Sequence, residues 1–190
     1  YQCGYRNVTG TYNTWVGYNA GYGATGESNS SNVGVGVNAM LQVTTGGENA
    51  VLGYEAGYDL TSGAESGLIG SRAGYNLTTT NGNVAVGRYS LFTSTAAVDC
   101  VAIGRQAMYA GSATQAGTVA IGKNALTNLS SGDNNIAIGE NALIANTTGG
   151  TNLAIGAGVL QHCVDGAANI GIGYGAMDDW DAGTDVDGSV

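Results

Sequence analysis

The sequence predicts an all-β fold, a parallel β-roll or β-solenoid of about ten 17-residue coils, and three observations lead there. A short phrase recurs along the chain: NVAVG at 83–87, CVAIG at 100–104, TVAIG at 118–122, NIAIG at 135–139 and NLAIG at 152–156. Its closing glycines are Gly87, Gly104, Gly122, Gly139 and Gly156, spaced 17, 18, 17 and 17 residues apart. The series continues back to Gly70, Gly53, Gly36 and Gly17 and forward to Gly173, with only the step from 17 to 36 stretched to 19. A fixed period of this length marks a stacked repeat architecture. Second, the chain has 34 glycines, no proline and no G-X-Y period, which suits many tight turns and excludes collagen. Third, no 3.6-residue periodicity is present, and this glycine density would melt a helix.

Each element of a coil follows from a column of residues at one offset from the anchor glycine. Four before it, Asn13, Asn32, Asn49, Asn83, Asn135, Asn152 and Asn169 form an asparagine ladder, whose stacked amides can bond from rung to rung. One before it, all ten residues from Val16 to Ile172 are aliphatic, as a strand requires. Three after it, alanine recurs, as at Ala107, Ala125 and Ala142, and leaves room for little more than a methyl. Eight after it come Thr25, Thr44, Thr61, Thr78, Thr95, Ser112, Ser130 and Thr147; ten after it come Gly46, Gly63, Gly132, Gly149 and Gly166. A hydroxyl capping its own turn beside a glycine with positive φ describes a corner. Two short strands and two corners per coil are therefore expected.

Two kinds of coil report on the packing. Most have a small residue two before the glycine, such as Ala102 or Ala137, and Leu or Met four after it, such as Met108 or Leu143. The coils of Gly17, Gly53 and Gly70 invert this, with Trp15, Val51 and Leu68 before and Gly21, Gly57 and Gly74 after. Bulk gained on one side is lost on the other, which predicts a flattened roll with a thin interior of nearly fixed volume.

Composition narrows the function. The chain is 43% hydrophobic and 10% charged, too apolar for a disordered tail, and its net charge of −9 argues against wrapping nucleic acid. No apolar run approaches a bilayer span, so membrane insertion of this segment is not expected. Cys3, Cys100 and Cys163 sit in three different registers, which stacked coils do not bring together. His162 is the one histidine, and with Cys163 it supplies two of the four ligands a structural zinc takes. No metal, no cofactor and no catalytic site is expected, because no acidic pair recurs and one histidine builds no triad. The G-x-G pieces are repeat glycines without a following helix. We divide the chain into a partial or irregular N-terminal coil at 1–12, a repeat domain at 13–177 and an acidic tail or linker at 178–190, with a longer parent protein expected. N-x-[ST] sequons begin at Asn7, Asn29, Asn76, Asn128 and Asn146.

The strand is apolar on both faces, since Ala or Gly alternates with Val or Ile. One face can line the roll while the other meets a neighbour, and soluble monomers avoid exposing such a stripe. The phrase N-[VIL]-A-[VI]-G-x-x-A-[LM] resembles the head repeat of trimeric autotransporter adhesins. The 17-residue spacing, with GYNAGY at 17–22 and NTTG at 146–149, is similar to repeats of phage tail fibres. The resemblance covers about residues 13–177. It implies a left-handed roll, three chains around one axis and the VAIG strand turned inward. Carried over, Val84, Val86, Val101, Ile103, Val119, Ile121, Ile136, Ile138, Leu153 and Ile155 become core or trimer contacts. It further implies a non-enzymatic, extracellular segment of a virion tail fibre or bacterial surface adhesin, partnered by itself as a homotrimer and by a cell-surface glycan or protein receptor. The alternative is an ice- or crystal-binding solenoid using the Thr/Ser column.

Two further columns are candidate contact sites. Five after the glycine stand Tyr22, Tyr58, Tyr75, Phe92 and Tyr109, with Leu41 inserted, either packing between rungs or offering a sugar-stacking strip. One after the glycine stand Arg88, Arg105 and Lys123, followed by Glu140 on the next rung. That column is either neutralised by carboxylates at a subunit contact or open to acidic glycans.

Overall fold

The computed structural model describes residues 2–26, 28–111 and 115–178, and over them the chain is a parallel β-solenoid of about nine turns without a helix. The acidic tail, apart from Asp178, lies outside the described residues. One parallel sheet runs the length of the stack. Its strands are β1 (Thr14–Val16), β2 (Val33–Val35), β3 (Ala50–Leu52), β4 (Gly67–Ile69), β5 (Val84–Val86), β7 (Val101–Ile103), β9 (Val119–Ile121), β10 (Ile136–Ile138), β11 (Leu153–Ile155) and β12 (Ile170–Ile172). Two-residue strands β6 (Ala97–Val98) and β8 (Gln115–Ala116) pair separately. Registers keep like with like, so Ala85 pairs with Ala102, Ala102 with Ala120, and Ala137 with Ala154. Residues before β1 continue the stack: Gly4 N–H donates to the Ala20 carbonyl at 2.9 Å and Tyr5 stacks on Tyr22.

Each strand is three residues long because the anchor glycine ends it. These glycines have φ between +118° and +148°, and a methyl on Gly104 would come within 2.5 Å of the Gly122 carbonyl oxygen. Only glycine allows both the conformation and the approach.

Among the described residues no second strand directly follows the anchor glycine; a run of turns stands there, and the coils of β6 and β8 add a two-residue strand further on. Residues two and four after the glycine have positive φ throughout, for instance Asn124 (59°) and Leu126 (51°), then Asn141 (58°) and Leu143 (51°). Alternating left-handed residues destroy the pleat, yet their amides still bond along the stack: Leu126 N–H donates to the Ala142 carbonyl at 3.0 Å. A leucine with positive φ is strained. It is held there because its side chain is fully buried in the core.

The middle residue of each strand faces inward. Ala85, Ala102, Ala120, Ala137, Ala154 and Leu68 have no exposure at all, and they pack with Met40, Leu91, Met108, Leu126, Leu143 and Leu160 in one core. A second interior column, seven after the glycine, holds Val43, Leu60, Leu77, Leu129 and Cys163. The resemblance placed Val84, Val86, Val101, Ile103, Val119, Ile121, Ile136, Ile138, Leu153 and Ile155 at core or trimer positions. Within one chain they are not core. They flank an inward residue on a period-two strand, so they turn outward, and each is exposed or half-buried.

The corner also differs from expectation. The hydroxyls of Thr44, Thr61, Ser130 and Thr147 donate to the carbonyl of the matching residue one coil on, at 2.9–3.1 Å, so they bind rungs together instead of capping their own turn. Gly132 has the expected positive φ (112°), but Gly46, Gly63 and Gly149 do not. Their need is clearance: a methyl on Gly63 would meet the Thr80 carbonyl oxygen at 2.5 Å.

Candidate interaction surface

Because only the middle residue of each strand turns inward, the outer face of the ten-stranded sheet carries two parallel aliphatic columns. Val84, Ile103, Ile136 and Ile155 are 37–38% exposed, and Leu52 and Ile69 reach 50% and 45%. At the strand spacing the face is about 45 Å long. A continuous apolar surface of that length is what a monomer normally hides.

The asparagine ladder keeps this face regular. Asn32 accepts from both the backbone and side-chain N–H of Asn49 through Oδ1, at 3.1 and 3.0 Å, and donates Nδ2 to the Gly46 carbonyl at 2.9 Å. Asn135, Asn152 and Asn169 repeat the pattern, and Asn13 starts it with Asn32. Asn83 has a serine below it, Ser66, and accepts from the backbone N–H of Cys100 through Oδ1. Each rung before Asn169, whose own Oδ1 has no partner, thus satisfies donors and acceptors that the buried turn would otherwise leave unpaired. The match is incomplete inside the second core column, where Asn146 is fully buried with neither polar atom of its amide paired.

The aromatic column is a stack. Ring centroids of Tyr58 and Tyr75 lie 4.9 Å apart with planes 10° from parallel, Tyr75 and Phe92 lie 5.4 Å apart, and Phe92 and Tyr109 lie 5.2 Å apart. Both faces of Tyr75 are therefore covered by its neighbours. Edges and hydroxyls reach the surface there, while the stacking faces that a sugar would use are taken up within the column. Tyr22 stands apart, stacked on Tyr5 with Arg6 over its ring at 4.7 Å.

Beside the stack lies a polar cluster that the sequence reading did not assemble. Arg72 Nε donates to Glu55 Oε2 at 2.7 Å, and Nη1 donates to the Tyr89 hydroxyl at 3.3 Å. Arg88 donates to the same hydroxyl at 3.3 Å. Burial alone would raise the Glu55 carboxyl, but hydrogen bonds from Tyr54 and Arg72 and the Arg72 charge outweigh it and hold it below the usual range. Hydrogen bonds from Arg88 and then Arg72 likewise lower the Tyr89 phenol. The clue was the spacing: Glu55, Arg72 and Tyr89 stand at successive 17-residue steps.

Arg88, Arg105 and Lys123 are all exposed at one rim of the aliphatic face. Lys123 pairs with Glu140, whose carboxyl is lowered by that bond and charge. Among the described residues Arg88 and Arg105 have no ion pair. The opposite rim, five before the anchor glycine, carries exposed Glu48, Glu65 and Asp99, again without ion pairs. This second column was also legible at constant offset and was missed because acids are scattered elsewhere.

His162 and Cys163 do not converge. His162 is exposed with Nδ1 2.9 Å from the Asp178 carbonyl oxygen, while Cys163 is buried. Among the described residues no group of three or more His, Cys, Asp or Glu is placed to hold a metal ion, and no helix is long and apolar enough to cross a membrane. Of the sequon asparagines, Asn29 and Asn146 are fully buried.

No protein-family model matches the chain, and no curated protein and no solved structure matches it. The class is defined by the fold itself: a β-solenoid repeat protein, stiffened by an asparagine ladder, with one long aliphatic outer face.

Proposed function

We propose that this chain is a non-enzymatic structural segment, a rigid homotrimeric rod belonging to an extracellular fibre or adhesin that presents an attachment surface to a cell-surface glycan or protein. The observation that supports this is the outward aliphatic face of the sheet, with Ile103, Ile136 and Ile155 each more than a third exposed. Self-association of that face removes apolar surface from water along the whole rod, and closed symmetry is the usual way to cover it without leaving a free copy. The resemblance to trimeric adhesin and tail-fibre repeats supports three chains and an extracellular setting. The ice-binding alternative is weaker, because the hydroxyl protons of the Thr/Ser column go to neighbouring coils.

Multi-angle light scattering tests the reading. A trimer is expected for the native chain, and a stable soluble monomer at high concentration defeats it. Ile138 faces outward, so Ile138→Asp should leave the coil folded and abolish assembly by placing an unpaired charge in the contact.

A further inference from the structure

The two rims of the aliphatic face carry opposite charge. Two residues before each strand, one rim has Glu48, Glu65 and Asp99 on coils three, four and six. Two residues after each strand, the other has Arg88, Arg105 and Lys123 on coils five, six and seven. All six are exposed, and among the described residues five of them have no ion pair, while Lys123 pairs with Glu140. In a protein that is 10% charged, three of five basic residues line one rim. Exposed charges flanking an apolar surface, most of them without an ion pair in their own chain, suit a partner that presents the reverse arrangement.

A second copy of this chain presents it, in one orientation only. When two such faces meet with the rods pointing the same way, any rotation about the rod axis sets the acidic rim of one copy against the basic rim of the next. When the rods point opposite ways, acidic meets acidic and basic meets basic, which costs more than the apolar contact alone can distinguish. The aliphatic columns choose poorly, since Val, Ile or Leu closes every strand and only Thr14, Ala50 and Gly67 break the column that opens them. We infer that the charged rims fix parallel alignment of the self-associated chains, the acidic rim of each copy docking on the basic rim of its neighbour. Closed symmetry keeps the copies in register, so coil six, which carries both charges, sets Asp99 level with Arg105 of the neighbouring copy. This inference rests on the self-association proposed above and adds the residues that select a parallel trimer over antiparallel pairs.

Charge-reversal variants of the whole chain test it. Arg88→Glu/Arg105→Glu/Lys123→Glu alters one rim, and Glu48→Lys/Glu65→Lys/Asp99→Lys alters the other. Each alone should weaken self-association at least about tenfold. Mixed, the two variants should bind each other more tightly than either binds itself, and one chain carrying both sets should assemble again. Spin labels on exposed Cys3 give the direction independently: labels within about 30 Å of one another are expected for parallel rods, and separations near the rod length of about 45 Å for antiparallel ones. Assembly with the longer separation, singly reversed chains that assemble like the native one, or a doubly reversed chain no better than either single set overturns the inference. A native chain that stays monomeric overturns the underlying self-association instead, and capture of a different protein on an assembly-deficient face assigns the rims to that partner.

Discussion

The indole of Trp15 occupies the volume that a side chain on Gly21 would need. A methyl built on Gly21 overlaps the indole, methyls on Gly4 and Gly34 run into it as well, and so one large residue is caged by three glycines. The same exchange recurs at Leu68, where a methyl on Gly57 or Gly74 would stand within 3.0 Å of a leucine methyl. The interior has one volume per coil, filled from the strand or from the turn but never from both.

Trp15→Ala should therefore cost about 3 kcal/mol or more through an unfilled cavity. Gly21→Leu alone should also destabilise, by collision with the indole and by strain at φ +58°. Together they recreate the common coil, as in the pair Ala120 and Leu126, and the double variant should be more stable than the sum of the two changes predicts. Chemical denaturation of all four proteins measures the coupling, and additive losses would contradict the shared-volume account.

Asn152, like Asn32, is bonded on every side, accepting from Asn169 and donating to Asn135 and to the Gly166 carbonyl. Asn152→Ala should cost about 2–4 kcal/mol because several buried partners lose their bonds at once. Asn152→Ser should cost less, since Ser66 already serves as a rung. Equal losses for the two variants would show that filling the space matters more than bonding.

Thiol reactivity should divide the cysteines. Burial raises the Cys100 and Cys163 thiols and closes them to reagents, whereas Cys3 is exposed. One equivalent of a thiol reagent should react with the native chain and three after unfolding, as counted by mass spectrometry. Modification of Cys163 at the rate of Cys3 would mean that the last coils open readily.

The Glu55–Arg72 pair makes stability depend on acid. The folded-state carboxyl of Glu55 lies below its ordinary value, so the stability it contributes is present above the unfolded pKa, about 4.3. That contribution is lost as pH falls through the folded value. Thermal melts from pH 6 down to 3 should show a smaller drop for Glu55→Gln than for the native chain. Parallel curves would mean that the pair adds nothing.

Much of this fold was readable because stacking turns every structural demand into a column. The strand, its terminating glycine and the ladder all follow from residues recurring at fixed offsets. The inward face was harder, since Val-Ala-Ile is apolar on both sides and period-two alternation cannot choose between them. The choice was nevertheless written in the exchange of Trp15 for Gly21, because only residues that share an interior trade volume. The missing second strand was hidden differently. Asn124 and Asn141 hint at left-handed backbone, but Leu126 and Leu143 adopt it against their own preference. The acidic rim went unread because three positions in ten are a thin signal until the sheet sets them opposite the basic one.

The uniform hydrogen-bond columns make the molecule a ruler. Residues 135–151 can be excised so that Asn134 joins Asn152, and the remaining chain meets the same bonding pattern one coil along. Length can then change only by whole graduations of about 4.8 Å, up or down, while the cross-section stays the same. Reach, in such a protein, is a counted quantity written as the number of times the phrase is repeated.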